Sequence, residues 1–142
     1  MILIDTSVLS LAFRRRVKTS PEPPVVRTFR LLVEEDQPIA IPGIVLQELL
    51  SGVRTPGEFE RLLQLVEGFP LVIATREHHV GAARIANACR QAGIAVSTVD
   101  CLIASMVVET ESQLFTADND FVRMAPHSGL QLFEWILTVQ AR

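Results

Sequence analysis

Four acidic side chains stand in stretches of sequence that are otherwise apolar. They are Asp5, Glu48, Asp100 and Asp118. A buried carboxylate without a partner is costly, and several carboxylates gathered at one point repel one another unless cations join them. Sites built only from oxygen ligands suit Mg²⁺ or Mn²⁺. The four residues therefore predict a site for a hard divalent metal ion, and metal-dependent hydrolysis as its chemistry.

Each carboxylate taken alone also has a structural explanation, and these alternatives stay open at the level of sequence. Asp5 could be only the N-cap of a first helix, and Asp100 could be favoured only by the dipole in a first helical turn. Asp118 could be a turn residue in Ala-Asp-Asn-Asp. Glu48 is harder to explain in this way, because on a helix it shares a face with Ile44 and lies on or beside the apolar stripe.

The spacing of the apolar residues predicts short strands that alternate with helices, which is typical of an α/β fold with a mostly parallel sheet of about five strands. The predicted strands are Met1–Ile4, Pro38–Ile41, Leu71–Ala74, Gln113–Thr116 and Leu130–Phe133. Ligands of such sheets bind beyond the carboxyl ends of the strands. Asp5 and Asp118 fall directly after predicted strands, and Asp100 falls in the first turn of a helix predicted from Val99 to about Thr110.

Length and composition narrow the class of protein. The chain has 142 residues, 49% of them hydrophobic and 20% charged, which predicts a single globular domain over residues 1–142. A formal net charge of -3 argues against broad coating of nucleic acid. No apolar run approaches the roughly 18 residues of a membrane span, and the N-terminus does not have the pattern of a signal peptide. We therefore expect a cytoplasmic protein that does not engage a membrane.

Rival chemistries lack the residues that they require. His78 and His79 are adjacent and point apart, and His127 lies in a predicted loop, so all three are expected at the surface rather than in a metal site. Phosphoaspartate chemistry needs a cation at the phosphate, but Lys18 is the single lysine of the chain and falls in a predicted loop. Neither a Gly-x-x-x-x-Gly-Lys loop nor a Gly-x-Gly-x-x-Gly motif is present.

Four sequence segments form a recognisable series. They read Ile-Asp-Thr-Ser-Val-Leu, Ile-Pro-Gly-Ile-Val-Leu-Gln-Glu-Leu-Leu-Ser-Gly, Asp-Cys-Leu-Ile-Ala-Ser and Leu-Phe-Thr-Ala-Asp-Asn-Asp-Phe. In this order they resemble PIN-domain ribonucleases, and within that family the VapC-type toxins of bacterial toxin–antitoxin pairs. The resemblance spans nearly the whole chain and implies a PIN-like three-layer α/β/α sandwich. It also implies an endoribonuclease that hydrolyses phosphodiesters of single-stranded RNA.

The resemblance further implies a role for each acidic residue. Asp5 and Asp100 would hold the main Mg²⁺ or Mn²⁺ ion, with Glu48 and Asp118 as further ligands, direct or through water. Asp120 would be either an outer acidic residue or a helix cap, and the cap is the favoured interpretation.

Supporting residues and partners follow from the same resemblance. Thr116, and with it Thr6, would support the acidic site by hydrogen bonds. The implied partners, besides RNA, are a small VapB-like antitoxin whose tail covers the acidic groove and a second copy of the chain in a homodimer. Two alternatives remain, namely a PIN nuclease of RNA processing without an antitoxin and a non-catalytic PIN module that binds RNA or protein.

The densest positive run of the chain follows the first predicted helix. It consists of Arg14, Arg15, Arg16 and Lys18. Such a run could grip the phosphates of RNA, pair with an acidic partner segment, or be a solvated loop. An apolar stripe on the next predicted helix, with Val25, Phe29 and Leu32, could serve a surface for the antitoxin or the second copy, but most of it is predicted to be core.

Overall fold

Four parallel strands form the centre of the fold. The computed structural model describes residues 1–14 and 21–135, so Arg15, Arg16 and Lys18 of the basic run lie outside the described residues. The strands are β1 (Ile2–Ile4), β2 (Ile39–Pro42), β3 (Leu71–Val72) and β4 (Gln113–Phe115). Their order in the sheet is β3-β2-β1-β4, and each neighbouring pair is parallel. The predicted α/β fold with a parallel sheet is confirmed.

Helices connect the strands and follow the last one. They are α1 (Thr6–Leu9), which continues as a π-helical turn (Ser10–Arg14), α2 (Pro24–Glu34), α3 (Gly43–Leu50), α4 (Pro56–Val66), α5 (Arg76–Gln91), α6 (Thr98–Glu109) and α7 (Asn119–Ser128). α2, with Val25, Phe29 and Leu32 buried, packs its apolar stripe into the core, as predicted. No helix within residues 1–14 and 21–135 is long and apolar enough to cross a membrane.

The end of the described chain differs from the prediction. Leu130–Phe133 was expected to form a fifth strand, but it contributes only an isolated parallel bridge between Leu132 and Leu114. Two backbone hydrogen bonds, Leu114 N to Gln131 O (2.9 Å) and Phe133 N to Leu114 O (2.8 Å), hold it beside β4. This is too short a pairing to count as a strand. The favoured cap at Asp120 implied a helix start, but the bounds of α7 were not predicted, because Pro126 and the Asp-Asn-Asp turn signal hid its apolar stripe.

The central strand β1 is buried along its whole length, with Leu3 and Ile4 fully inaccessible to solvent. A parallel strand covered on both faces reads as a continuous apolar run, as Ile-Leu-Ile does here. Phe115 at the end of β4 is equally buried. The carboxyl ends of β1 and β4 are thus held by the core, and they are the ends that carry Asp5 and Thr116.

The two cysteines belong to the interface of α5 and α6. Cys89 and Cys101 are free and buried, and burial raises the pKa of both thiols. A buried thiol with a raised pKa remains protonated and behaves as a small hydrophobe. Both cysteines therefore serve as small core residues.

Candidate metal centre

Three hydrogen bonds to one of its two carboxylate oxygens hold Asp5 at the carboxyl end of β1. The residue is 4% exposed and is the N-cap of α1. Its Oδ2 accepts from Ser7 Oγ (2.7 Å), Ser7 N (3.4 Å) and Thr116 Oγ1 (2.9 Å). Within residues 1–14 and 21–135, no donor is bonded to Oδ1. Asp5 is therefore a cap, as its structural explanation predicted, and it also keeps one oxygen available to a ligand.

Two hydroxyl groups join the start of α1 to the segment after β4. Ser7 Oγ accepts from Ala117 N (2.9 Å), and Thr116 Oγ1 accepts from Asp118 N (3.0 Å). Both hydroxyls donate to Asp5, so each is oriented from two sides. The sequence prediction included Thr116 but missed Ser7. Ser7 could have been found from its position two residues after an N-cap aspartate at a strand end.

Glu48 is directed toward the same region by Thr6. Thr6 Oγ1 donates to Glu48 Oε1 over 2.8 Å, and both side chains are partly buried. The bond ties the start of α1 to the last turns of α3. Thr6 therefore lies where the sequence prediction placed a supporting group. Among the described residues, Glu48 has one carboxylate oxygen bonded and the other without a hydrogen-bond partner.

Asp100, Asp118 and Asp120 bring carboxylate oxygens within 4.8 Å of one another. Asp100 lies in the first turn of α6, whose N-cap Ser97 accepts from Asp100 N (3.0 Å). Asp118 is the N-cap of α7 and accepts from Asp120 N (2.9 Å). Two helix starts, which favour negative charge, therefore present these three aspartates to one another.

The favoured prediction for Asp120, a helix cap, is wrong. Asp118 occupies the N-cap position, and Asp120 stands two residues further on in the first turn of α7. Its half-exposed carboxylate forms an ion pair with Arg123 on the next turn. The sequence did not separate the two aspartates, because Ala-Asp-Asn-Asp offers two possible caps two residues apart.

The electrostatics show that the carboxylates face one another. The pKa of Asp100 is raised to about 6, first by burial and then by the charges of Asp5, Asp118 and Glu48. A hydrogen bond from Ser97 acts in the opposite direction and offsets part of this effect. Four separate segments of chain thus deliver negative charge to one place. Every donor is oxygen and a cation would relieve the repulsion, so the residues fit a hard divalent ion.

Comparison with known proteins identifies the family. The family model of the PIN domain matches residues 2–126. The chain belongs to the PIN-domain family. Proteins of this family are nucleases. No curated protein sequence matches the chain.

Solved structures share the fold of this PIN domain. FitAcB from Neisseria gonorrhoeae is 20% identical, with a TM-score of 0.74 over 96% of this chain and 99% of the other. VapBC2 from Rickettsia felis, bound to a DNA fragment from its promoter, is 21% identical, with a TM-score of 0.75 over 94% and 98%. VapBC-5 from Mycobacterium tuberculosis, a member of the VapBC family of toxin–antitoxin systems, is 18% identical, with a TM-score of 0.65 over 92% and 95%.

One prediction on histidines is wrong. His78 is 7% exposed and not at the surface. Its Nδ1 accepts from Thr75 N (3.0 Å), while Thr75 Oγ1 accepts from His78 N (3.4 Å), so the pair forms a capping box at the start of α5. His79 and His127 are exposed, as predicted, but His127 lies in the last turn of α7 and not in a loop. In the described part of the chain, the aspartate trio is the one group of three metal-binding side chains so closely spaced.

Trp135 supports the PIN-domain site through a hydrogen bond to the backbone of Thr116. Its indole Nε1 donates to Thr116 O over 3.1 Å, and its ring centroid lies 6.4 Å from that of Phe115. Thr116 in turn bonds Asp5 and Asp118 N through its hydroxyl. These contacts place Trp135 on the fold itself.

The carboxylates also set a pH dependence of stability. Because the pKa of Asp100 is higher in the folded chain (about 6) than its ordinary value of 3.8, the folded state binds this proton more tightly. The metal-free protein should therefore lose stability as the pH rises from about 4 to about 6. We expect Asp100→Asn to raise its free energy of unfolding by about 1 kcal/mol above that range, the full shift being reduced for a half-buried group.

Thermal unfolding in EDTA between pH 4 and pH 8 measures this effect. The wild-type and Asp100→Asn proteins should have similar stability at the acid end and diverge as the carboxyl ionises. Profiles that run parallel through this interval would show that the charge of Asp100 is not destabilising.

Proposed function

We propose that this PIN domain is a Mg²⁺- or Mn²⁺-dependent endoribonuclease and the toxin of a toxin–antitoxin pair. The observation that carries the proposal is the meeting of carboxylates from four segments at the carboxyl edge of the sheet, where three of them raise the pKa of Asp100 to about 6. Such an arrangement lowers the stability of the empty protein. Its benefit lies in holding a cation where substrate phosphates can reach it.

The ion would be held by Asp5, Glu48, Asp100 and Asp118. Asp120 would lie beside them, where its carboxylate also forms an ion pair with Arg123. Asp5 offers Oδ1, because its Oδ2 is occupied by the hydroxyls of Ser7 and Thr116. When bound, such an ion lowers the pKa of an attacking water and offsets the negative charge on the phosphodiester. The hydroxyl bonds keep Asp5 in one orientation, so that the oxygen set is already arranged when the substrate binds.

RNA is the proposed substrate, and a VapB-like antitoxin and a second copy of the chain are the proposed partners. The structural likeness to toxin–antitoxin complexes supports the antitoxin. The site lies at the carboxyl edge of the parallel sheet, where ligands of such sheets bind, and the side chain of Asp120 there is about half exposed. Two free buried cysteines suit a reducing compartment, and we place the activity in the cytoplasm.

Incubation of the purified protein with single-stranded RNA tests the nuclease. Cleavage should require Mn²⁺ or Mg²⁺, stop on addition of EDTA, and return when the ion is restored in excess. Binding of RNA without cleavage under any of these ions would contradict the enzyme and favour the non-catalytic module.

Induced expression in a bacterial host, with mapping of new RNA 5′ ends, tests the toxin. Growth should arrest with the wild-type chain and continue with Asp100→Ala. Rescue by the product of a short adjoining gene would support the antitoxin. Cleavage in vitro without growth arrest would favour an RNA-processing nuclease instead.

A further inference from the structure

Arg14 and Arg54 line one open groove on the surface of this PIN domain. Arg14 ends the π-helical turn after α1, and Arg54 lies in the connection between α3 and α4. The groove has a volume of about 330 Å³, and its lining residues are Arg14, Gly52, Val53, Arg54, Thr55 and Glu58. Two arginines from separate segments therefore line one concave surface.

The charge of this groove is available to an external anion. Within residues 1–14 and 21–135, neither Arg14 nor Arg54 forms an ion pair, whereas Arg30 and Arg123 are paired with carboxylates. The one acid in the lining, Glu58, is bonded by Arg61 through Nε (2.9 Å) and Nη2 (2.5 Å). Arg61 thus balances the charge of Glu58, and the groove keeps the positive charge of its two arginines.

The walls of the groove are fixed by contacts in the protein itself. Arg61 Nη2 also donates to Phe13 O over 2.6 Å, which fastens the end of the π-helical turn to α4. Thr55 caps α4 by accepting from Glu58 N (3.2 Å). Gly52 has a φ of 80°, and this left-handed residue turns the chain after α3. The left-handed turn at Gly52 and the hydrogen bond from Arg61 to Phe13 therefore bring Arg54 and Arg14 to the same groove.

The groove is connected to the acidic site by two elements. Thr6 and Glu48 are bonded to each other at that site, and Arg14 and Arg54 follow them by eight and six residues. The eight-residue path from Thr6 to Arg14 is helical and covers at most about 12 Å. A single RNA strand spans such a distance with a few nucleotides, so the groove lies in reach of a strand whose scissile phosphate is at the carboxylates.

We propose that Arg14 and Arg54 bind phosphates of the RNA strand a few nucleotides away from the cleaved bond. The proposal rests on the proposed ribonuclease function and adds to it a positively charged site that holds the strand. Guanidinium groups match the geometry of phosphate oxygens and contact the backbone without reading its sequence. The site therefore contributes affinity and register to many RNA sequences rather than selecting one.

Binding of a short fluorescein-labelled single-stranded RNA of mixed sequence, measured by fluorescence anisotropy in EDTA, tests the proposal without cleavage. Loss of two phosphate contacts by Arg14→Ala with Arg54→Ala should weaken binding roughly 10- to 30-fold at about 0.1 M salt. The slope of log affinity against log salt should fall in magnitude by about 1.4. In Mn²⁺-dependent cleavage, KM should rise while kcat is retained.

A matched variant, Arg27→Ala with Arg84→Ala, removes the same charge from exposed positions on α2 and α5. It should change neither the affinity nor the salt slope by a comparable amount. Arg14→Lys with Arg54→Lys should restore most of the salt slope, since lysine still neutralises phosphates as a point charge.

The outcomes separate this proposal from the function on which it rests. If the wild-type protein cleaves RNA but the two double alanine variants bind it equally, the arginine groove is overturned and the nuclease stands. If RNA binding depends on the groove but no divalent ion supports cleavage, the nuclease fails instead. Absence of RNA binding by the wild-type protein at low salt would overturn the groove directly.

Discussion

Asp5→Asn is expected to lower RNA cleavage by about 10³-fold or more and to lower Mn²⁺ affinity by more than about 100-fold. Asparagine has the same shape, and its amide oxygen can still accept from Ser7 and Thr116, so the local hydrogen-bond pattern is largely kept. What is lost is the negative charge directed at the site through Oδ1. A loss of several kcal/mol of transition-state stabilisation by the metal ion corresponds to a fall of three or more powers of ten in rate.

Isothermal titration calorimetry with Mn²⁺ and cleavage assays on the same preparations measure the two effects. Asp36→Asn is a matched control, because Asp36 is exposed after α2 and has a φ of 53° that asparagine also adopts readily. This variant should retain wild-type affinity and rate. If Asp5→Asn combined with Asp100→Asn left Mn²⁺ affinity unchanged, the metal site would be refuted.

Gly81→Ala is expected to destabilise the protein by about 1–3 kcal/mol, the usual cost of overpacking a close helix contact. A Cβ at this position of α5 would overlap the hydroxyl of Ser105 on α6, and its next neighbours, Glu109 Oε1 and Ser105 Cβ, would each lie at 3.6 Å. On an unobstructed helix the same change would instead stabilise by about 1 kcal/mol. The sign of the change in stability therefore shows whether Gly81 and Ser105 are in close contact. This contact bears on the acidic site because α6 also carries Asp100.

A double-mutant cycle with Ser105→Ala identifies the cause. Ser105 Oγ is buried without a hydrogen-bond partner in the described part of the chain, so its removal should itself be neutral or stabilising. In the Ser105→Ala background the obstruction is gone, and Gly81→Ala should become stabilising. Denaturant unfolding of the four proteins gives the coupling energy. Additive effects would mean that the two helices do not meet through these residues.

The acidic site shows how far function works against stability in this chain. Burial and like charge raise the pKa of Asp100, while Ser7, Thr6 and Thr116 direct hydroxyl groups at the carboxylates that surround it. These hydroxyl groups hold the carboxylates in fixed orientations. Because hydroxyl groups are neutral, they do not balance the combined negative charge of the carboxylates. Such conflict between local stability and arrangement is expected at a functional site.

Much of the site follows from local sequence. Asp5 and Asp118 stand after apolar strands, and parallel strands place their carboxyl ends at one edge, so their approach could be predicted. Asp100 stands three residues after a serine cap, which fixed its place in a first helical turn. The roles of Asp118 and Asp120 could not be separated, because both are acidic and either could cap a helix whose first residue the sequence did not fix.

By itself the sequence determined the parallel α/β fold, the PIN-family resemblance and the four acidic segments, because apolar periodicity and strand-end chemistry are local properties. Only the tertiary structure decided that Ser7 bridges Asp5 and Ala117, that Trp135 supports Thr116, and that Arg54 and Arg14 line one groove. These contacts join residues from about 20 to 110 positions apart, or depend on a single glycine turn. Pairings over such separations are set by the packing of whole elements, which no short window of sequence records.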